Sequence, residues 1–199
     1  MKKVIVLLVA VFMMCSFVST AFAQDMQLPG TGKGEENANI AVGINPYPLI
    51  YGLILGGFGI GAGFEYQFLP FLSAEANVSY LGWSYTGWYG EYGYSMFNIM
   101  VGAKWYLMHT IFDMETAVNG PFAGLLLGAD IIGYTYASVS ETAFFFDIMP
   151  VVGYKWNFMG GKGFFVEPSV GYKIAIGDTD AVDYDPSEFY YNLKIGWSF

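Results

Sequence analysis

The sequence predicts an all-β fold: an eight-stranded antiparallel transmembrane β-barrel with both termini periplasmic. Three observations lead there. Apolar and polar side chains alternate residue by residue in segment after segment, no apolar run beyond the leader reaches the length of a membrane helix, and the charges in these segments fall on the inner phase of the alternation. Hydrophobic residues make up 55% of the chain and aromatics 20%. A small water-soluble fold would enclose that apolar area in a core. A membrane barrel wears it on the outer wall, where alternation hides it from a helix-style hydropathy reading. The 26 glycines leave room in a narrow interior, and the 16 tyrosines can set a ring in lipid and a hydroxyl among head groups.

Residues 1–23 read as a cleaved signal peptide. Lys2 and Lys3 precede the apolar run Val4 to Val18, and Ala21-Phe22-Ala23 supplies a small-x-small cleavage pattern. The run is short for a spanning helix and gives way to a polar periplasmic segment, residues 24–37, before the barrel at 38–199. The bulky Met13-Met14 before Cys15 argues against lipidation there. Cleavage removes Cys15, so the mature chain has no disulfide framework and no thiolate nucleophile. It also removes two lysines from a chain whose formal net charge is already −9 and which contains no arginine. Such a chain is poorly equipped to grip phosphate backbones, and nucleic acid is not an expected partner.

The strands are expected near residues 38–46, 57–68, 71–84, 94–108, 121–137, 143–158, 164–177 and 189–199. The last is the clearest, with Tyr191, Leu193, Ile195, Trp197 and Phe199 on one face and Asn192, Lys194, Gly196 and Ser198 on the other; a period of two separates these sets and a helix would mix them. Phe58 to Phe68 alternate with glycines, Glu65 and Gln67, then turn at Leu69-Pro70 into Leu72 to Tyr80, which alternate with Ser73, Glu75, Asn77 and Ser79. Phe97 to Leu107, Val152 to Phe158 and Val166 to Ile176 follow the same rule, although Pro168 removes one ladder donor. Residues 121–137 are less clean, because Leu126 and Ile132 fall on the inner phase. The first strand meets Pro46 and Pro48, and 49–57 could continue the wall with a bulge or form a hairpin connection. Short turns at 69–70 and 160–163 read as periplasmic. The outer loops then fall near 46–57, 85–93, 138–143 and 178–188, and the long connection His109 to Gly120 falls on the nominally short-turn side.

The alternation sends Glu65, Glu75, Asp130, Asp147 and Glu167 inward with Lys104, Lys155, Lys173 and Lys194. Burying these charges is tolerable only if they pair or meet water, so a paired interior network is expected rather than an enzyme pocket. Lys194 should pair with an inner acid, Glu167 on the neighbouring strand being one candidate. Catalytic, cofactor and metal residues are not expected. The acidic run Asp178, Asp180, Asp183 and Asp185 lacks the glycine and closing glutamate of an EF-hand, and the single histidine, His109, stands apart from Ser169 and most acids.

The exported leader, the alternating strands, the acid-and-base interior and the terminal Tyr191-x-Leu193-x-Ile195-x-Trp197-x-Phe199 resemble the small outer-membrane barrels of the outer membrane protein A and outer membrane protein X superfamily, over about residues 38–199. The resemblance implies a bacterial outer-membrane location, outer-membrane lipid and the barrel assembly machinery as partners, and an assembly signal read from Tyr191, Leu193, Ile195, Trp197 and Phe199. It does not carry one function across. A peptidoglycan-binding domain after the barrel is not expected. The function expected is a noncatalytic structural or surface-interaction barrel, monomeric, with an extracellular partner open in identity. The alternatives are a narrow passive pore, a lipid-modifying enzyme and a soluble lipocalin-like barrel. Met100, Phe145, Met149 and the charge pairs would obstruct a pore, and the last alternative would need an apolar interior.

Overall fold

The structure is a computed structural model that describes residues 40–69, 71–88, 90–107, 119–137, 139–159, 162–177 and 187–199. The expected signal peptide, the polar segment 24–37, His109, most of the connection that follows it and the acidic run 178–185 lie outside the described residues. In chain order the elements are β1 (Ile40–Asn45), helix α1 (Tyr47–Ile54), β2 (Phe58–Leu69), β3 (Leu72–Gly87), β4 (Gly90–Tyr106), β5 (Gly120–Tyr136), β6 (Val139–Met159), β7 (Lys162–Gly177) and β8 (Glu188–Ser198). Each strand pairs antiparallel with the next, and β8 returns to β1, so the sheet closes with no exposed edge around its waist.

Closure turns the alternation of the sequence into an inside and an outside. In β1 and the first half of β2 every second residue is buried. The buried set includes Glu65, Glu75, Lys104, Lys155 and Glu167, whereas Phe64, Trp105, Leu125, Val152, Ile174 and Trp197 are exposed on the outer face. This inverts the order of a water-soluble protein, in which charges face out and large apolar groups face in.

Two prolines interrupt the β6–β7 seam. The β6–β7 ladder omits the pairs nearest Pro150 and Pro168, resuming at Val151↔Gly171 and again at Trp156↔Val166, and shifts register by one between Asn157 and Met159. Each proline lacks the N–H that a ladder bond requires. Pro168 still holds its place opposite Leu193 on β8.

Two expected outer loops are instead strand. β3 and β4 stay paired to Gly87↔Gly90, and β5 and β6 to Tyr136↔Val139, so 85–93 and 138–143 are mostly the tips of long hairpins. These rise past the end of β2, which stops at Phe58↔Gly82. Toward these tips the apolar-out alternation is lost, with Thr86, Glu91, Ser140 and Thr142 on the outer phase and aromatic residues on the inner one. In the structure the aromatic residues stack across the hairpins: Tyr85 on Tyr92 at 4.9 Å, Trp83 on Tyr94 at 6.1 Å, and Tyr94 against Tyr134 at 5.2 Å between ring centroids. Cross-strand aromatic pairs stabilise this upper part of the ladder, where β3 has lost its β2 neighbour.

The stretch left open as a bulge or hairpin is helix α1. Asn45 ends β1, and its Oδ1 accepts the Tyr47 N–H at 2.9 Å. Pro48 lies in the first turn, where its missing donor costs nothing. The helix then lies on the inner side of β2 at a position only glycine permits: a Cβ on Gly59 would sit 2.1 Å from the Pro48 carbonyl oxygen.

Candidate functional site

The barrel interior gathers the expected charges into two groups at different depths. In the first, Lys104 on β4 lies at the centre. Its Nζ is 2.6 Å from Glu167 Oε1 on β7, 2.9 Å from Glu75 Oε2 on β3 and 3.4 Å from Glu65 Oε2 on β2. Lys155 on β6 reaches Glu65 at 2.9 Å, and Lys194 on β8 reaches Glu167 at 2.8 Å and also contacts Glu75. Three ammonium groups therefore balance three carboxylates drawn from six of the eight strands. All six residues are nearly or completely shielded from solvent. Glycine makes one of these contacts possible: a Cβ on Gly63 would lie 2.8 Å from Lys194 Cδ, in the path the lysine takes across the barrel.

Neutral donors and ring faces complete this group. Ser73 Oγ and Tyr106 Oη each donate to Glu65 Oε1 at 2.6 Å, and Asn77 Nδ2 donates to Glu75 Oε1 at 2.7 Å. The Lys104 ammonium stands 4.7 Å from the Phe122 ring centre and the Lys155 ammonium 4.4 Å from that of Phe165. A buried ion network of this kind contributes modest net stability as a whole, but removal of one member is costly because the others keep their desolvation penalty.

The second group is acid-rich. Asp130 on β5 accepts from Asn98 Nδ2 at 2.6 Å and from Lys173 Nζ at 2.7 Å, and Lys173 also pairs with Glu188 at 3.1 Å. Asp147 on β6 is fully buried two residues beyond Phe145, the partner of Asp130 in the ladder. Between and around the two groups, Met100, Leu126, Met149, Tyr106 and Phe122 form one buried apolar cluster, and Ile132, Ala143 and Phe145 form another. Side chains thus fill the cross-section at successive levels, as an eight-stranded circumference allows.

Every inner charge named from the sequence lies in one of these two groups. Lys194 meets Glu167 directly opposite it in the β7–β8 register, and meets Glu75 across the barrel. The sequence reading assigned no role to Ser73, Asn77, Tyr106 or Glu188, although the first three share the inner phase with the charges they bond. That shared phase is the signal that could have found them. The terminal row runs outward as Tyr191, Leu193 and Trp197, each exposed, and Phe199 donates its backbone N–H to Ile40 O at 2.8 Å across the closing seam. Among the described residues, no three or more His, Cys, Asp or Glu groups are placed to hold a metal.

A closed antiparallel eight-stranded barrel with a side-chain-filled, charged interior defines the class of fold to which small outer-membrane barrels conform. No family model matches the chain, and no curated protein matches it in sequence. Among solved structures it is similar to Ail, the attachment invasion locus protein of Yersinia pestis, in complex with the heparin analogue sucrose octasulfate. The TM-score is 0.50 at 14% sequence identity, with 83% of this chain and 100% of that chain covered. At that identity the likeness is one of fold.

Proposed function

We propose that the chain is a noncatalytic protein of the bacterial outer membrane, acting as a surface-interaction or structural barrel. In this reading the leader 1–23 is cleaved, segment 24–37 stays in the periplasm, and the barrel inserts as a monomer with both termini periplasmic and the tall β3–β4 and β5–β6 hairpins outside the cell. One observation carries the reading. The wall is apolar outward and charged inward, an order that suits lipid outside and a sealed plug within. The terminal row Tyr191, Leu193, Ile195, Trp197 and Phe199 would serve the barrel assembly machinery as a strand to be bound at its edge.

The partner chemistry differs from that of the similar structure. Ail was solved with a sulfated polyanion. This chain has no arginine and a formal net charge of −9, so a polyanion has little to attract it. The outer hairpins instead present tyrosine and tryptophan, residues suited to a neutral or cationic partner.

Planar-bilayer recording of the purified monomer tests the sealed interior. The account expects no reproducible unit current in molar potassium chloride, since Lys104, its three carboxylates and the Met100–Met149 layer fill the section. A stable unit conductance would establish the narrow pore in its place.

A further inference from the structure

The wall has a notch in its outer half. β1 pairs with β8 only over Ala41–Ile44 against Ser198–Ile195, after which β1 gives way to α1. The outer part of β8, from Glu188 to Leu193, is paired with β7 on one side and has no β1 partner on the other. Behind this free edge lies a cavity of about 570 Å³, within the size range of sites for drug-sized molecules, ~300–1,000 Å³. It is lined by Tyr190 of the inner face of β8 and also by Phe189 and Tyr191 of the outer face. Because this stretch of β8 has no β1 partner, the cavity behind it has a route to the side of the barrel past the strand edge as well as an opening inward. The opposite wall is apolar and aromatic, with Trp83, Tyr94, Met96 and Ile132, and the stacked pair Tyr47 and Tyr51 of α1 stands at the opening.

The charge around the cavity is one-sided. Lys173 lines it and is the only base at this level among the described residues; Asp130 and Glu188 pair with it. Asp147 adds a third carboxylate, whose oxygens meet no hydrogen-bond donor. Three carboxyl groups thus stand beside one ammonium group, and Glu188, whose side chain is 48% exposed, is within reach of a ligand.

The geometry points to a binding site for a lipophilic amine: a molecule with an apolar body that enters past the edge of β8 from the membrane and sets its cationic nitrogen between Glu188 and the rings of the cavity. The apolar lining selects the body, the excess of carboxylates over ammonium groups selects the sign, and the aromatic faces add a further attraction for a cation. This goes beyond the surface-barrel reading, which stands or falls without it.

Titration calorimetry on the full chain in lipid nanodiscs, corrected with empty discs, tests the site with three probes that share one body: 4-phenylbutylamine, 4-phenylbutan-1-ol and 4-phenylbutyrate. The amine is expected to bind saturably, about tenfold tighter than the alcohol, with no binding of the carboxylate. Glu188→Gln, at the exposed rim, should weaken the amine several-fold and leave the alcohol unchanged. Ser79→Trp should fill the cavity and abolish binding of both while heat-modifiable gel migration shows a folded barrel. If Ser79→Trp does not fold, the Glu188→Gln comparison decides. Absence of saturable amine binding, carboxylate binding as tight as the amine, an unchanged amine affinity in Glu188→Gln, or wild-type binding in folded Ser79→Trp would overturn the proposal.

Discussion

Replacing Lys104 with methionine is expected to destabilise the folded barrel by about 3–5 kcal/mol, the scale seen when one partner of a buried ion pair is removed. Methionine fills much of the same space beside Phe122, so the loss is chiefly electrostatic. Glu65, Glu75 and Glu167 would face only Lys155 and Lys194, and one buried carboxylate would lack a cation. The double variant Lys104→Met/Glu167→Gln restores the balance, because Lys155 still pairs with Glu65 and Lys194 with Glu75. It should recover most of the lost stability in urea unfolding from detergent or lipid, giving a strong coupling between the two sites. Equal stability of wild type and Lys104→Met, or simple addition of the two losses, would mean that the network does not act as a unit.

Deletion of Phe199 is expected to divide folding from assembly. The side chain is 62% exposed on the outer face, and its backbone N–H bonds to Ile40 O. Losing that bond and some lipid-facing area should cost the purified protein only ~1–2 kcal/mol, and refolding into detergent should stay close to normal. Insertion in cells should fall by an order of magnitude or more if the terminal row is recognised by strand addition at an exposed edge. Pulse labelling followed by heat-modifiable migration and protease resistance of the membrane fraction measures this. Normal insertion in cells would remove the recognition role, and equal failure in both settings would assign Phe199 to barrel closure.

The barrel was legible in the sequence because a strand with two unlike faces writes them in alternate letters. Glu65 between Phe64 and Tyr66, or Lys194 between Leu193 and Ile195, states which side is in. What the sequence withholds is depth. Whether Lys194 meets Glu75 depends on the stagger of strands across the barrel, which no local pattern records. The hairpin tips were missed for a related reason: Thr86, Glu91, Ser140 and Thr142 stand on the outer phase and Tyr85 and Tyr92 on the inner one, which breaks the rule that located the strands. Helix α1 was missed because Tyr47 to Ile54 is apolar on every side and opens on Pro46 and Pro48, so neither a period of two nor one of 3.6 stands out. Its identity comes from packing on Gly59, and the cavity behind it was equally invisible.

The central claim is that the apolar face of this barrel meets lipid while its charges stay sealed inside. Trp105, Trp156 and Trp197 report on it from three strands, each a little under half exposed on the outer wall. In variants that keep one of these tryptophans at a time, reconstituted into bilayers with brominated acyl chains, the account expects strong quenching of all three and little response to aqueous iodide. Failure of the brominated chains to quench them, with iodide quenching in its place, would contradict it.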